Sequence, residues 1–158
     1  SIPTRVVRAA PRLAEWIRDR VENPLLIGPD SESEQWVSEV ASRAMAPYLI
    51  LQKIRHGDRD VQVSVPDVER WKGHTPVLID DIISTGHTML ETLGHLQKLG
   101  MKPSVCIGVH GIFAENAYQQ LLEAGAKLVA TSNTILHESN KIDLSAPLAE
   151  ALAEFFGV

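Results

Sequence analysis

The most chemically loaded stretch of the chain is Val77-Leu78-Ile79-Asp80-Asp81-Ile82-Ile83-Ser84-Thr85-Gly86-His87-Thr88. An apolar run of the kind that forms a buried strand leads into two adjacent acids. A short hydroxyl- and glycine-containing loop follows, at the start of a helical pattern. Such a loop can offer backbone N–H groups and hydroxyls to a phosphate, supported by the helix dipole. Gly86 allows a sharp turn and a close backbone approach. Two carboxylates beside a phosphate cradle would repel the phosphate on its own. They make sense if they hold ribose hydroxyls, or a Mg²⁺ that bridges to the phosphate. From spacing alone, an ordinary strand–turn–helix with surface acids and two N-cap hydroxyls carries the same pattern.

Two other strand ends hold unusual polar residues. Leu51-Gln52-Lys53-Ile54-Arg55 precedes the polar stretch His56 to Asp60, which contains Gly57 and reads as a turn or mobile loop. Lysine brings a mobile point charge and arginine a rigid fork, both suited to phosphoryl oxygens. Taken alone they also fit solvated basic residues after an edge strand. Pro29-Asp30-Ser31-Glu32-Ser33-Glu34 follows a short buried strand. Its acids suit the first turn of a helix, and they would repel an anion. Cys106 lies in an apolar strand and reads as a packed thiol. His110 reads as a structural strand-end residue, and His56, His74, His95 and His137 lack metal-ligand spacing. Trp16, Trp36 and Trp71 read as packing or interface residues.

The elements that must position these residues alternate between short apolar runs and helix-length periodic segments, the pattern of a parallel sheet with crossover helices. In such sheets ligands gather beyond the carboxyl ends of the strands. Pro11 to Val21 reads as a helix with Leu13, Trp16 and Ile17 on one face. Leu25 to Gly28 reads as a strand. Ser31 and Glu34 stand at capping-box spacing before a helix carrying Trp36, Val37, Val40, Ala41 and Ala44, closed by Pro47. Tyr48 to Gln52 is the second expected strand. Val61, Val63 and Val65 suggest the exposed strand of a hairpin or flap. Pro76 to Ile79 is a third buried strand. Thr88 and Glu91 repeat the capping-box spacing, and Leu90, Leu93, Leu96 and Leu99 ride a helix closed by Gly100. Further strands are expected at Val105–Val109, Leu128–Ala130 and Ile142–Leu144. Helices are expected at Ala114–Glu123, with Gly125 beyond it, and after Ser145, with Pro147 in the first turn.

Bulk composition narrows the classes. The 158 residues favour one domain, 1–158, and can bury a core without staples. A net charge of −5 and no visible basic stripe argue against a nucleic-acid partner. No apolar run approaches the roughly 18–20 residues that span a bilayer, so no membrane partner is expected. A single cysteine excludes an internal disulfide, and a cytoplasmic setting is the expectation.

Asp80 to Thr88 resembles the phosphoribosyl-pyrophosphate (PRPP) binding motif of type I phosphoribosyltransferases and PRPP synthetases, especially the archaeal-type synthetases. There a glycine is usual at the position of His87. The likeness continues in the same order from about Ile27 to the C-terminus. Lys53-x-Arg55 stands where synthetases carry such a pair, just before a flexible loop. Val109-His110-Gly111-Ile112-Phe113 and Thr131-Ser132-Asn133-Thr134-Ile135 are similar to two further synthetase signatures. Lys141 to Leu152 is similar to the family's terminal strand and helix. The resemblance implies a three-layer α/β fold, with a mostly parallel sheet, helices on both faces and a flexible flap. It implies diphosphoryl transfer from ATP to ribose 5-phosphate with Mg²⁺ as cofactor. In that reading Lys53 and Arg55 are catalytic, and Asp80, Asp81, Ser84, Thr85, Gly86, His87 and Thr88 bind ribose 5-phosphate or PRPP. Asp30 matches a Mg²⁺-contacting aspartate. Two departures stand out: His87 adds bulk in the phosphate loop, and Glu32 and Glu34 replace a small, glycine-containing stretch after Asp30.

Synthetases of this family carry a homologous N-terminal domain and assemble as oligomers. Ser1 without a preceding Met suggests a C-terminal domain of something longer, incomplete as a catalyst on its own. Two other readings stay open. One is a phosphoribosyltransferase that consumes PRPP. The other is a non-catalytic, synthetase-associated or PRPP-sensing protein that kept the fold.

Overall fold

The computed structural model describes residues 4–55, 61–64 and 68–157. Helix α1 (Ala10–Arg20) leads into strand β1 (Pro24–Gly28), a 3₁₀ turn at Ser31–Ser33 and helix α2 (Glu34–Ala44). Strand β2 (Tyr48–Ile50) is followed directly by β3 (Gln52–Arg55), β4 (Val61–Ser64) and a single turn, α3 (Val68–Trp71). The second half runs β5 (Thr75–Ile83), α4 (His87–Lys98), β6 (Val105–Gly111), α5 (Ala117–Glu123), β7 (Leu128–Ser132), β8 (Asn140–Ile142) and α6 (Ser145–Phe156).

Six strands form one sheet in the order β2-β1-β5-β6-β7-β8, every neighbouring pair parallel. Strands β3 and β4 form a separate antiparallel pair, with Lys53 opposite Val63 and Arg55 opposite Val61. Alternation along the strands makes two cores. Leu26, Val77, Ile79, Val105 and Ile107 meet Leu13 and Ile17 of α1 and Val37, Val40 and Ala41 of α2. Leu25, Ile27, Leu78, Cys106 and Val129 meet Met89, Leu93 and Leu96 of α4 and Leu121 of α5 on the opposite face. Each fully buried aliphatic chain contributes ~1.5–3 kcal/mol of burial. The result is the expected three-layer α/β arrangement, with the strand pair β3–β4 where a hairpin was expected.

Several local expectations differ from what the chain does. The third buried strand does not stop at Ile79: β5 runs through Asp80 and Asp81 to Ile83, because β6 continues to pair it, Asp80 opposite Gly108 and Ile82 opposite His110. The segment Tyr48 to Gln52 divides at Leu51, whose N–H still donates to the Gly28 carbonyl while the chain turns off into β3. Neither expected capping box forms at Ser31 or Thr88. The first lies one residue earlier, between Asp30 and Ser33, and at the second Gly86 in a left-handed conformation (φ 69°) takes the N-cap without a side-chain bond. Ser145 does not cap α6; its own N–H donates to the Asp143 carboxylate at 2.9 Å. The helix expected from Ala114 begins as a 3₁₀ turn, with Glu115 and Asn116 at positive φ, and turns regular at Ala117. The last strand is Asn140–Ile142, two residues before its expected start. Val65 and the loop expected at His56 to Asp60 lie outside the described residues.

Candidate functional site: a two-part cleft at the carboxyl ends of β1 and β5

Ser84, Thr85, Gly86, His87 and Thr88 join the end of β5 to the start of α4 and line a cavity of about 140 Å³, together with Asp80, Ile82, Ile83 and Met89. The first intrahelical bond of α4 runs from the Leu90 N–H to the Gly86 carbonyl at 2.8 Å. The N–H groups just before it therefore stand at a helix start with no carbonyl to meet. Among the described residues, the side-chain hydrogen bonds of this segment are from the Asp81 N–H to Asp80 Oδ1 and from Thr92 Oγ1 to the Thr88 carbonyl. The hydroxyls of Ser84, Thr85 and Thr88 enter neither. Donors of both kinds are thus left for a ligand, and a phosphate is the species that uses them together. Gly86 is held in the left-handed region, so a side chain there would strain the loop.

Asp80 and Thr88 also border a second cavity, of about 310 Å³, with Asp81, Pro29, Asp30, Glu32, Ser33 and Trp36. Leu51 joins Asp80 and Thr88 in a small depression between the two strand ends. The Asp80 carboxyl is pushed up to about 6, first by desolvation, then by its hydrogen bond with the Asp81 carboxyl and by the negative charges of Asp81 and Asp30. The N–H of Asp81 works in the opposite direction. This carboxyl sits where negative charge is already in excess.

Asp30 is held by its own turn. Its Oδ1 accepts from the Ser33 N–H at 3.0 Å, and the Ser33 hydroxyl donates to its carbonyl at 2.6 Å. Gly28, at the end of β1, lets this turn approach: an added Cβ would meet Ile50, Val37 and the Ser33 hydroxyl at 2.8–2.9 Å. The oxygen-only set of Asp30, Asp80 and Asp81 matches the preference of Mg²⁺, which takes one or two carboxylates and keeps waters or substrate oxygens. Among the described residues, no group of three or more His, Cys, Asp and Glu side chains is arranged to hold a metal alone. The residues therefore fit a Mg²⁺ shared with ligand oxygens better than a protein cage.

Lys53 and Arg55 lie in β3, two and four residues beyond Leu51, and the hairpin partner β4 runs beside α4. The backbone thus places both residues in a strand pair that packs beside α4, the helix that follows the Ser84–Thr88 loop. Sequence reading missed that Trp36 does more than pack against the first core: it also walls the larger cavity. Its place in the first turn of α2, six residues after Asp30, was the available signal. Ile82, 44 % exposed beside the smaller cavity, gave no signal beyond its place in an apolar run.

The other conspicuous motifs hold the fold. His110 Nδ1 lies 2.8 Å from Thr134 Oγ1. Ser132 donates to the Val109 carbonyl at 2.6 Å, and Thr131 and Ser139 share a buried hydroxyl contact at 2.7 Å. Asn140 donates to Thr131 Oγ1 and to the Ser132 and Ile135 carbonyls. Asp143 is held below the usual carboxylate range, first by its bonds from Ser145 and then by Asn133 and Arg12. Burial pushes the Cys106 thiol up to about 12, as expected of a packed core thiol. None of the described helices is long and apolar enough to cross a membrane.

Comparison with known proteins agrees with this geometry. Residues 3–146 match the family model of the phosphoribosyl transferase domain. The ribose-phosphate pyrophosphokinase of Sulfurisphaera tokodaii is 29% identical over 153 residues, covering 94% of this chain and 52% of that protein. The enzyme of the same name from Sulfolobus acidocaldarius is 32% identical over 151 residues, covering 94% and 51%. The chain therefore spans about half the length of these relatives. Among solved structures, the phosphoribosylpyrophosphate synthetase of Mycobacterium smegmatis superposes with a TM-score of 0.77 at 28% identity, over 96% of this chain and 52% of that one. The orotate phosphoribosyltransferase of Aeropyrum pernix, at 19% identity and a TM-score of 0.59 over 90% of this chain and 73% of that one, shares the fold. With the family model matched over nearly its whole length, the chain belongs to the phosphoribosyl transferase domain family and is similar, within it, to ribose-phosphate pyrophosphokinases.

Proposed function

We propose that this chain is the sugar-phosphate-binding unit, residues 1–158, of a ribose-phosphate diphosphokinase, which moves the diphosphoryl group of ATP to ribose 5-phosphate and releases AMP. The observation that carries the reading is the two-part cleft. A phosphate-type loop and an acid-lined chamber meet at Asp80 and Thr88. In this reading the 5-phosphate takes the donors of Ser84 to Thr88, and Asp80 and Asp81 take the ribose hydroxyls. Mg²⁺, when bound with ATP near Asp30, offsets charge on the phosphoryl oxygens. The anomeric hydroxyl attacks the β-phosphorus and AMP leaves. Such a transition state spreads negative charge over oxygens, so positioning and positive charge carry most of the catalysis. Lys53 and Arg55 are the residues for that role. The reading extends to a homologous second domain and an oligomer, as in the sequence expectation, and to a cytoplasmic setting.

The test has two parts. Calorimetric titration with ribose 5-phosphate should show binding to this chain, and an AMP-release assay on the chain alone should show little turnover. Turnover equal to that of an intact synthetase would remove the need for a second domain. In a protein that does turn over, Lys53→Ala should lower the rate by two or more orders of magnitude while ribose 5-phosphate still binds. An unchanged rate would take Lys53 out of the mechanism. Efficient conversion of a free base and PRPP to a nucleotide and pyrophosphate would favour a base-transferring enzyme instead.

A further inference from the structure

The Ser84–Thr88 loop takes its shape from the segment beside it, and we infer that the ring of Phe113 is the positioning residue that holds this loop ready for the sugar phosphate. This rests on the reading above and adds a residue that lines neither cavity and acts through the backbone. Among the described residues, the hydroxyls of Ser84, Thr85 and Thr88 have no hydrogen-bond partner, so little inside the loop fixes it. Its start is fixed from β6. The two strands stay paired as far as Ile83 and Gly111, and the Ile112 and Phe113 N–H groups both donate to the Ile83 carbonyl at 3.0 Å. That carbonyl belongs to the peptide that enters Ser84. The middle of the loop leans on α5: a Cβ added to Gly86 would stand 3.5 Å from the Ala117 Cβ and 3.7 Å from Leu121. The segment from Ile112 into α5 thus supports the loop at two points.

That segment is strained. Phe113, Glu115 and Asn116 stand at φ of 50°, 54° and 65°, the left-handed region that Phe and Glu enter only at a cost. Such a shape persists where packing over-determines it. Ile112, Glu115 and Asn116 are exposed, and Ala114 has only a methyl group, so the ring of Phe113 is what the turn has to pack with. The ring lies against the second core, 5.3 Å from the Tyr118 ring, edge to face, and 4.5 Å from the His137 ring. His137 is held in turn by the Ser139 N–H, which donates to its Nδ1 at 3.1 Å. Gly111 makes the seat, since an added Cβ there would meet Cε2 of Phe113 at 2.5 Å. Without the ring the turn can relax toward ordinary φ. The two N–H groups at Ile83 and the contact at Gly86 then move with it.

The experiment is calorimetric titration of the whole chain with ribose 5-phosphate, beside the ligand-free ¹³Cα shifts of Ser84 to Thr88, which report backbone φ and ψ. The variants are Phe113→Leu, Phe113→Tyr and, as a control for stability alone, Ile17→Val in the first core. Phe113 is half-buried, so Phe113→Leu should fold, and Phe113→Met takes its place if it does not. A loop that kept its ligand-ready shape about a tenth of the time would bind about tenfold more weakly. Phe113→Leu should therefore weaken ribose 5-phosphate roughly five- to twentyfold and move the ¹³Cα shifts of the loop. Phe113→Tyr keeps the ring and should stay within about twofold of wild type. Ile17→Val should lower the melting temperature and leave affinity within about twofold. Unchanged affinity or unmoved loop shifts in the Phe113 variant would overturn the inference, as would an equal loss of affinity in Ile17→Val. If ribose 5-phosphate does not bind wild type at all, the functional reading fails instead. The ligand-free shifts then decide the role of Phe113, and shifts that stay in place overturn it.

Discussion

The loop after β5 and the loop after β7 stand at the same end of one parallel sheet and are built from the same kinds of residue. Ser84-Thr85-Gly86-His87-Thr88 and Thr131-Ser132-Asn133-Thr134 are both runs of hydroxyls, interrupted by Gly86 and His87 in the first and by Asn133 in the second. In the second run, the hydroxyls of Thr131, Ser132 and Thr134 and both ends of the Asn133 amide are satisfied by Ser139, Val109, His110, Asp143, Ser145 and Leu144. In the first run the hydroxyls face a cavity and the N–H groups open a helix. Polar residues at a strand end thus have two opposite uses. A satisfied network fixes the chain, while an unsatisfied one waits for a ligand whose binding supplies the missing partners.

The contrast can be broken by exchanging what each loop loses. Replacing Thr85 and Thr88 together with Val should weaken ribose 5-phosphate binding by roughly a hundredfold or more, since hydrogen bonds to a charged group are each worth about 1.5–3 kcal/mol. The melting temperature should stay within a few degrees, because neither hydroxyl has a hydrogen-bond partner among the described residues. Calorimetry and thermal melts on the same sample read both. The reverse is expected for Asn140→Ala. Its amide accepts from the His137 N–H and donates to three oxygens. Its removal should cost about 2–3 kcal/mol of stability in urea melts and leave ribose 5-phosphate affinity within twofold. A loss of affinity without loss of stability in Asn140→Ala would mean that the second loop also handles ligand.

A smaller effect sharpens the comparison through pH. Asp80 titrates at about 6 in the fold, above the ordinary carboxylate value near 4. A raised native value means that stability is greatest when the group is protonated and is lost as pH rises through about 6. Asp80→Asn keeps an oxygen acceptor for the Asp81 N–H and removes that penalty. The variant should be more stable than wild type by about 1–2 kcal/mol above pH 7, discounted for partial solvent screening. The difference should fade below pH 6 and vanish near pH 4. A stability difference that grows toward low pH would reverse the sign and refute the burial argument.

Much of the frame was legible because apolar spacing sets it: α1, α2, β1, β6 and α4 fall within a residue or two of expectation, and the three layers follow from them. What was not legible depended on partners distant in sequence. Asp80 and Asp81 are poor strand formers, yet β6 holds them in register, so the acids are strand residues rather than loop residues. The capping boxes failed for a physical reason as well. At Ser31 the extended Asp30, with φ −164°, offered a carboxylate one residue sooner. At Thr88 the helix start was left bare, which is what a ligand site needs. The Ser84–Thr88 loop stood out from residue type as a candidate anion site, but its difference from Thr131–Thr134 was not legible, since only packing tells a spent hydroxyl from one without a described partner.

The central claim is tested most directly by an amide ¹H–¹⁵N correlation titration of the chain with ribose 5-phosphate in EDTA. The N–H resonances of Ser84 to Thr88 should move together along one saturable curve, while those of Thr131 to Ser139 stay in place. Saturable shifts confined to the β7 loop or to the α6 face, with Ser84 to Thr88 unmoved, would contradict the assignment of this loop to the sugar phosphate.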